Sequence, residues 1–144
     1  MDQSLKFNRV FRLSVLVTLA ALVLEYILGM YTALFVAFPD SLTNGNAWTW
    51  SMAQSPVIMA HVLLGTLLVV GSLLALGLSI SLKSKTAISA SMLGLVAVVV
   101  AYGSGSGFLA NIDADGYSFA MSLGFIGALL AYGFAYFTNR SAGR

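Results

Sequence analysis

Few residues of this chain could do chemistry, and two of them stand where chemistry is costly. His61, the only histidine, is set in MAHVLLGTLLVVG (Met59–Gly71), and Glu25 is set in LVLEYILG (Leu22–Gly29); both runs are otherwise mostly hydrocarbon. An ionisable side chain inside a membrane span is expensive to place, so each is a candidate for function. Neutral imidazole is also the commonest ligand for metals and for haem iron.

His61 lies four residues into its run, about 6 Å deep at the rise of a helix. Gly65, Ser72 and Ser79 continue its helical face. Gly65, one turn further along, removes the side chain that would collide with a flat macrocycle held edge-on beside the helix. Met30, Met121 and Tyr102 fall within about a turn of the same depth, by the same rise per residue. One His with one Met is the axial pair of some haems, and one His with several Met is a soft site suited to Cu(I). The plainer alternative is an interfacial histidine bonded to a loop carbonyl or a tyrosine, among methionines that only fill gaps.

Glu25 shares a helical face with Thr18, Ala21, Gly29 and Thr32. No Lys or Arg occurs in the apolar runs, so Glu25 is expected to be protonated or hydrogen-bonded to Tyr or Ser. It then serves either as a buried interhelical hydrogen-bonding group or in proton handling or cofactor contact.

The elements that must position these residues follow from composition. Of the 144 residues, 59% are hydrophobic and 8% charged, against about a quarter charged in an ordinary globular domain. Four apolar runs, at roughly 13–38, 57–82, 86–108 and 117–138, each reach the ~20 residues needed to cross a bilayer. Backbone groups in hydrocarbon must be satisfied internally, and a barrel's alternating pattern is absent, so the runs predict helices. The expected fold is all-α: one integral membrane four-helix bundle over residues 1–144. The first run exceeds a signal-peptide core and lacks an A-x-A site, so it reads as a retained helix. Cysteine is absent, which removes disulfides and thiolate ligands.

All seven basic residues fall on one side of this arrangement: Lys6, Arg9 and Arg12 before the first span, Lys83 and Lys85 between the second and third, Arg140 and Arg144 after the fourth. The positive-inside rule then places both termini in the cytoplasm of a cell-membrane protein. The net charge of +2 is topogenic and predicts no nucleic-acid surface. The other side carries PDSLTNGNAWTWSMAQSP (Pro39–Pro56), with Trp48 and Trp50 expected as interfacial anchors, and the Gly-rich GSGSGFLANIDADG (Gly103–Gly116). Asp40, Asp113 and Asp115 make that side acidic. NIDADG (Asn111–Gly116) mimics the first half of a calcium loop, but position twelve would be Ser122 and no bidentate Glu is on offer. His61–Gly77 aligns with Ala120–Tyr136, pairing Leu64 and Gly65 with Leu123 and Gly124, the pattern of two related hairpins in which only one copy carries an imidazole.

The sequence LEYILGMYTALF, a polar loop, and then AHVLLGTLLVV resembles a half-module of heme A synthase and, more loosely, other four-helix b-type membrane cytochromes. The resemblance covers the first helical hairpin and implies a haem-ligand role for His61. A half-module of that family has a second histidine in its last span, where this chain has Ala120 and Met121, so the resemblance leaves monohaem or dimer-shared ligation. The expected function is haem b binding for electron transfer or haem handling, with His61 as metal ligand and Gly65, Met30, Met121, Tyr102 and Glu25 as cofactor contacts. A non-catalytic structural or assembly subunit is the alternative, and a copper site of His61 and methionines the third. Gly29, Gly65, Gly71, Gly124 and Gly127 offer close-approach surfaces, from which self-association or membership of a larger membrane complex is expected.

Overall fold

The structure, a computed structural model, describes residues 3–39, 42, 46–111 and 115–139. Five helices account for nearly all of them: α1 (Gln3–Phe35), α2 (Ala47–Gln54), α3 (Pro56–Ser81), α4 (Lys85–Ala110) and α5 (Asp115–Thr138). Four of the five, all but α2, are long and apolar enough to cross a membrane. The arrangement is that of a multi-pass membrane protein in contact with lipid.

Local signals set the helix boundaries. Ser55 accepts a hydrogen bond from the Ile58 N–H at the start of α3, with Pro56 at the first helical position, where a missing N–H costs nothing. Ser84 caps α4 in the same way through the Ala87 N–H. Between α3 and α4 the chain reverses within three residues, and Lys83 takes a left-handed φ of 54° to do so. The helices alternate in direction. α1 packs on α3, α3 on α4, α4 most extensively on α5, and a thinner α1–α5 contact closes the ring. The two aligned helices, α3 and α5, run in the same direction, with Gly65 and Gly124 both buried.

This topology gathers Lys6, Arg9, Arg12, Lys83 and Lys85 at one end of the bundle, here termed the basic end. Arg140 and Arg144 lie outside the described residues, as do Asp40 and residues 112–114 of the NIDADG segment, Asp113 among them.

The core runs along stripes with alternating four- and three-residue steps, the periodicity of a helix seam. In α1 the stripe is Phe11, Val15, Thr18 and Leu22, all buried, and then Glu25, Gly29 and Thr32, all half-buried. In α3 it is Ile58, His61, Gly65, Leu68, Ser72, Ala75 and Ser79. Small residues let the helices approach closely at the basic end, where Tyr132 lies flat on Gly94: a Cβ there would be 2.6 Å from the ring.

Three expectations change in detail. The first helix starts before its apolar run, at Gln3, and ends at Phe35, short of 38. The segment after it forms the eight-residue α2, packed on the ends of α3 and α4, where a loop is expected. The Gly-rich segment is not loop from Gly103: α4 continues through Gly103, Gly105 and Gly107 to Ala110. Glycine is tolerated in membrane helices because the backbone there has no water to turn to. Two of these glycines also receive α5, with Gly107 under the Tyr117 ring and Gly105 opposite Met121 Sδ.

Candidate functional site

Glu25 and His61 face each other across the α1–α3 seam. Antiparallel packing brings His61 Nδ1 to 3.0 Å from Glu25 Oε1, with only 19% and 15% of the two side chains exposed. The contact has the distance of a hydrogen bond but not its alignment, and the second carboxylate oxygen, Oε2, is buried with no partner. Glu25 thus meets an imidazole from α3 where a Tyr or Ser hydroxyl is expected.

The approach depends on two glycines used reciprocally. Glu25 and Gly29 are four residues apart in α1, and His61 and Gly65 are four apart in α3. A Cβ on Gly29 would sit 3.2 Å from His61 Cε1, and one on Gly65 would sit 3.0 Å from Glu25 Oε1. Each glycine therefore accommodates the ionisable side chain of the other helix. The space that Gly65 opens is taken by Glu25 and by the Tyr102 ring, 3.4 Å from the same point, rather than left free beside His61. Gly29 and Gly65, like Gly124 and Gly127 against Ala97, make close contacts within the chain.

The pair lies on the wall of a cavity of about 840 Å³ in the half of the bundle away from the basic end. That volume is within the ~300–1,000 Å³ range of small-molecule and cofactor sites. Leu22, Leu68, Val98 and Ala128 form its floor. His61, Glu25, Gly65, Met30, Met121 and Tyr102 all line it, so Met30, Met121 and Tyr102, expected at the depth of His61, share one space with it. Met52, Met59 and Met92 do not line it. The wall is mainly apolar and carries no Lys or Arg. Among the described residues no three His, Cys, Asp or Glu side chains group as metal ligands.

An aromatic lid covers the far end of the cavity. Phe38 packs against Trp50 and Phe108, with ring centroids 5.5 and 5.9 Å away, and Trp48 reaches the lining from α2. Trp50 is therefore half-buried in a lid, not simply an interfacial anchor. Sequence reasoning missed this lid and the Glu25–His61 contact. The signal for the contact was the repeated four-residue spacing of an ionisable residue and a glycine in LEYILG and HVLLG.

Chemically, a carboxylate beside Nδ1 is the usual companion of a metal-ligating histidine, and it leaves Nε2 as the ring nitrogen for a ligand. No match to the chain was found among protein-family models, curated proteins or solved structures.

Proposed function

We propose that this chain is a small membrane haem b-binding protein in which the imidazole of His61 would hold the iron. The observation that carries the reading is an imidazole whose Nδ1 lies 3.0 Å from a half-buried carboxylate on the wall of a largely apolar cavity of about 840 Å³. The residues fit a haem in three respects: the cavity is large enough, the oriented histidine is available, and Met30 and Met121 offer a thioether as second ligand. Bound haem would supply one-electron redox chemistry. The chain would supply orientation through Glu25, exclusion of water through the lid, and a sheath of helices in the membrane.

The absence of a cation on the cavity wall favours a second reading, a structural or assembly subunit whose cavity is filled by lipid or by a partner helix. Absorption of protein purified from haem-replete cells separates the two. A Soret band is expected in the wild type, lost or strongly weakened in His61→Ala with helicity retained. Glu25→Gln should keep the fold and lower haem affinity by about 10–100-fold, the usual effect of removing a carboxylate beside a ligating histidine. Met30→Leu or Met121→Leu should alter the spectrum only where that sulfur is axial. No Soret band in the wild type rejects the haem reading, and copper bound by the wild type but not by His61→Ala establishes the soft-metal site instead.

The same reading places the basic end in the cytoplasm of a cell-membrane protein, with the lid facing outward, and includes self-association or a place in a larger complex. Because the chain has no cysteine, single cysteines test the orientation cleanly: Asn46→Cys should react with an impermeant thiol reagent on intact cells and Ser84→Cys should not. Equal labelling overturns the orientation.

A further inference from the structure

We infer that the cavity exchanges its occupant with the hydrocarbon of the bilayer, sideways between α1 and α5, and not with water through the end of the bundle. The inference rests on reading the cavity as a binding site, and it narrows the ligand to an amphiphile that partitions into membranes.

Each wall of the cavity points the same way. The end toward the loops is covered by the lid of Phe38, Trp50 and Phe108. Toward the basic end, the floor of Leu22, Leu68, Val98 and Ala128 is followed by a closely packed core. The residues of α3 that line the cavity, Ile58, His61, Val62, Gly65 and Leu68, are all buried or half-buried. Tyr102 reaches the surface at the α3–α4 seam but closes it, with its ring against Gly65 and its hydroxyl 3.3 Å from Thr66 Oγ1.

The α1–α5 side differs. Val23, Tyr26 and Met30 from α1 and Ser118, Ser122 and Ile126 from α5 line the cavity and are exposed on the outside of the bundle as well. These two helices also make the thinnest of the four neighbour contacts. One stacked pair, Tyr26 on Phe125 with centroids 5.2 Å apart, bridges the seam. Both helices are long and apolar enough to span a membrane, so an opening between them at mid-helix meets acyl chains. Side-chain rotation of one aromatic pair is a smaller rearrangement than removing α2 and its lid.

The test has two arms. In the first, Trp48→Phe and Trp50→Phe remove the native indoles, Met121→Trp places one on the cavity wall, and the protein is reconstituted in phosphatidylcholine vesicles with brominated acyl chains. Quenching by the bromines should approach that of a control indole at the lipid-facing Leu130 position, with little quenching by aqueous acrylamide. Strong acrylamide quenching, or protection from both quenchers, overturns the inference. In the second, Tyr26→Cys with Phe125→Cys is bridged by a short reducible bifunctional thiol reagent. Haem loading of the bridged protein from haemin-containing vesicles should slow by about tenfold or more, as expected where opening limits the rate, and recover on reduction. Unchanged loading after complete bridging also overturns it. If the wild type binds no haem, the proposed function fails, and the quenching arm still decides the route of access.

Discussion

The two halves of this bundle are built on the same helix stripes and put them to opposite use. Toward the basic end the stripes carry Ala75, Ala87, Ala90 and Ala135 around Phe11, Val15 and Tyr132, and the interior is filled. Toward the lid the same stripes carry Glu25, Gly29, His61 and Gly65, and the interior holds a cavity of about 840 Å³. Glycine occurs in both halves. On Gly94 an aromatic ring is seated, whereas on Gly29 and Gly65 an imidazole and a carboxylate are seated. The difference teaches that close helix approach does not by itself make a packed core: two ionisable side chains cross the seam where the cavity lies. On the proposed reading, stability and binding are segregated along the membrane normal, and substitutions should separate them.

The largest expected effect is truncation in the filled half. Tyr132 is fully buried against Gly94, so Tyr132→Ala should cost about 3–5 kcal/mol, the range for emptying a large core site. Met121→Ala removes a side chain that already borders empty space, and should cost less than about 1 kcal/mol, because few contacts are lost. Denaturation in mixed detergent micelles, followed by circular dichroism, measures both. Equal losses would break the comparison.

A smaller effect separates the glycines. A Cβ on Gly124 would lie 2.7 Å from the Ala97 carbonyl oxygen and 2.8 Å from the Ala101 nitrogen. Backbone cannot yield as a side chain can, so Gly124→Ala should force α4 and α5 apart at about 1–3 kcal/mol. Gly29→Ala would press on His61 Cε1 at 3.2 Å, and the imidazole has a cavity to move into. Its cost in stability should be below about 1 kcal/mol, the range of a tolerated volume change, while ligand binding weakens through the displaced ring. The two variants together show whether each half answers for stability or for binding.

The four spans were legible because hydropathy is a local property, and the inward direction of His61 was legible because Gly65, Ser72 and Ser79 continue its face. The common depth of Met30, Tyr102, Met121 and His61 followed from helix rise alone, and all four line the cavity. The Glu25–His61 contact was not legible, since it depends on the register of α1 against α3, which is set by the interlocking of two helices. For α2, eight residues without a side-chain cap bond leave little trace in a sequence. The helical Gly103–Ala110 segment was misread because Gly and Ser signal loops in water, while an apolar surrounding enforces helix.

The smallest effect probes how the filled half tolerates its own polar atoms. Tyr132, Ser72 and Ser91 are fully buried, and their hydroxyl oxygens have no aligned hydrogen-bond partner. A buried hydroxyl without a partner carries a desolvation cost and returns little, whereas polar pairs between membrane helices contribute only about 0.6 kcal/mol on average. Tyr132→Phe keeps the ring on Gly94 and removes only the oxygen. It should therefore shift stability by less than about 1 kcal/mol, toward greater stability, because the ring supplies the packing and the lost oxygen supplied no made bond. Marked destabilisation by Tyr132→Phe would instead mean that the three hydroxyls are joined through internal water. The filled half would then contain a hydrated polar layer directly beneath the cavity floor, and the contrast between the two halves would have to be redrawn at Leu22 and Leu68.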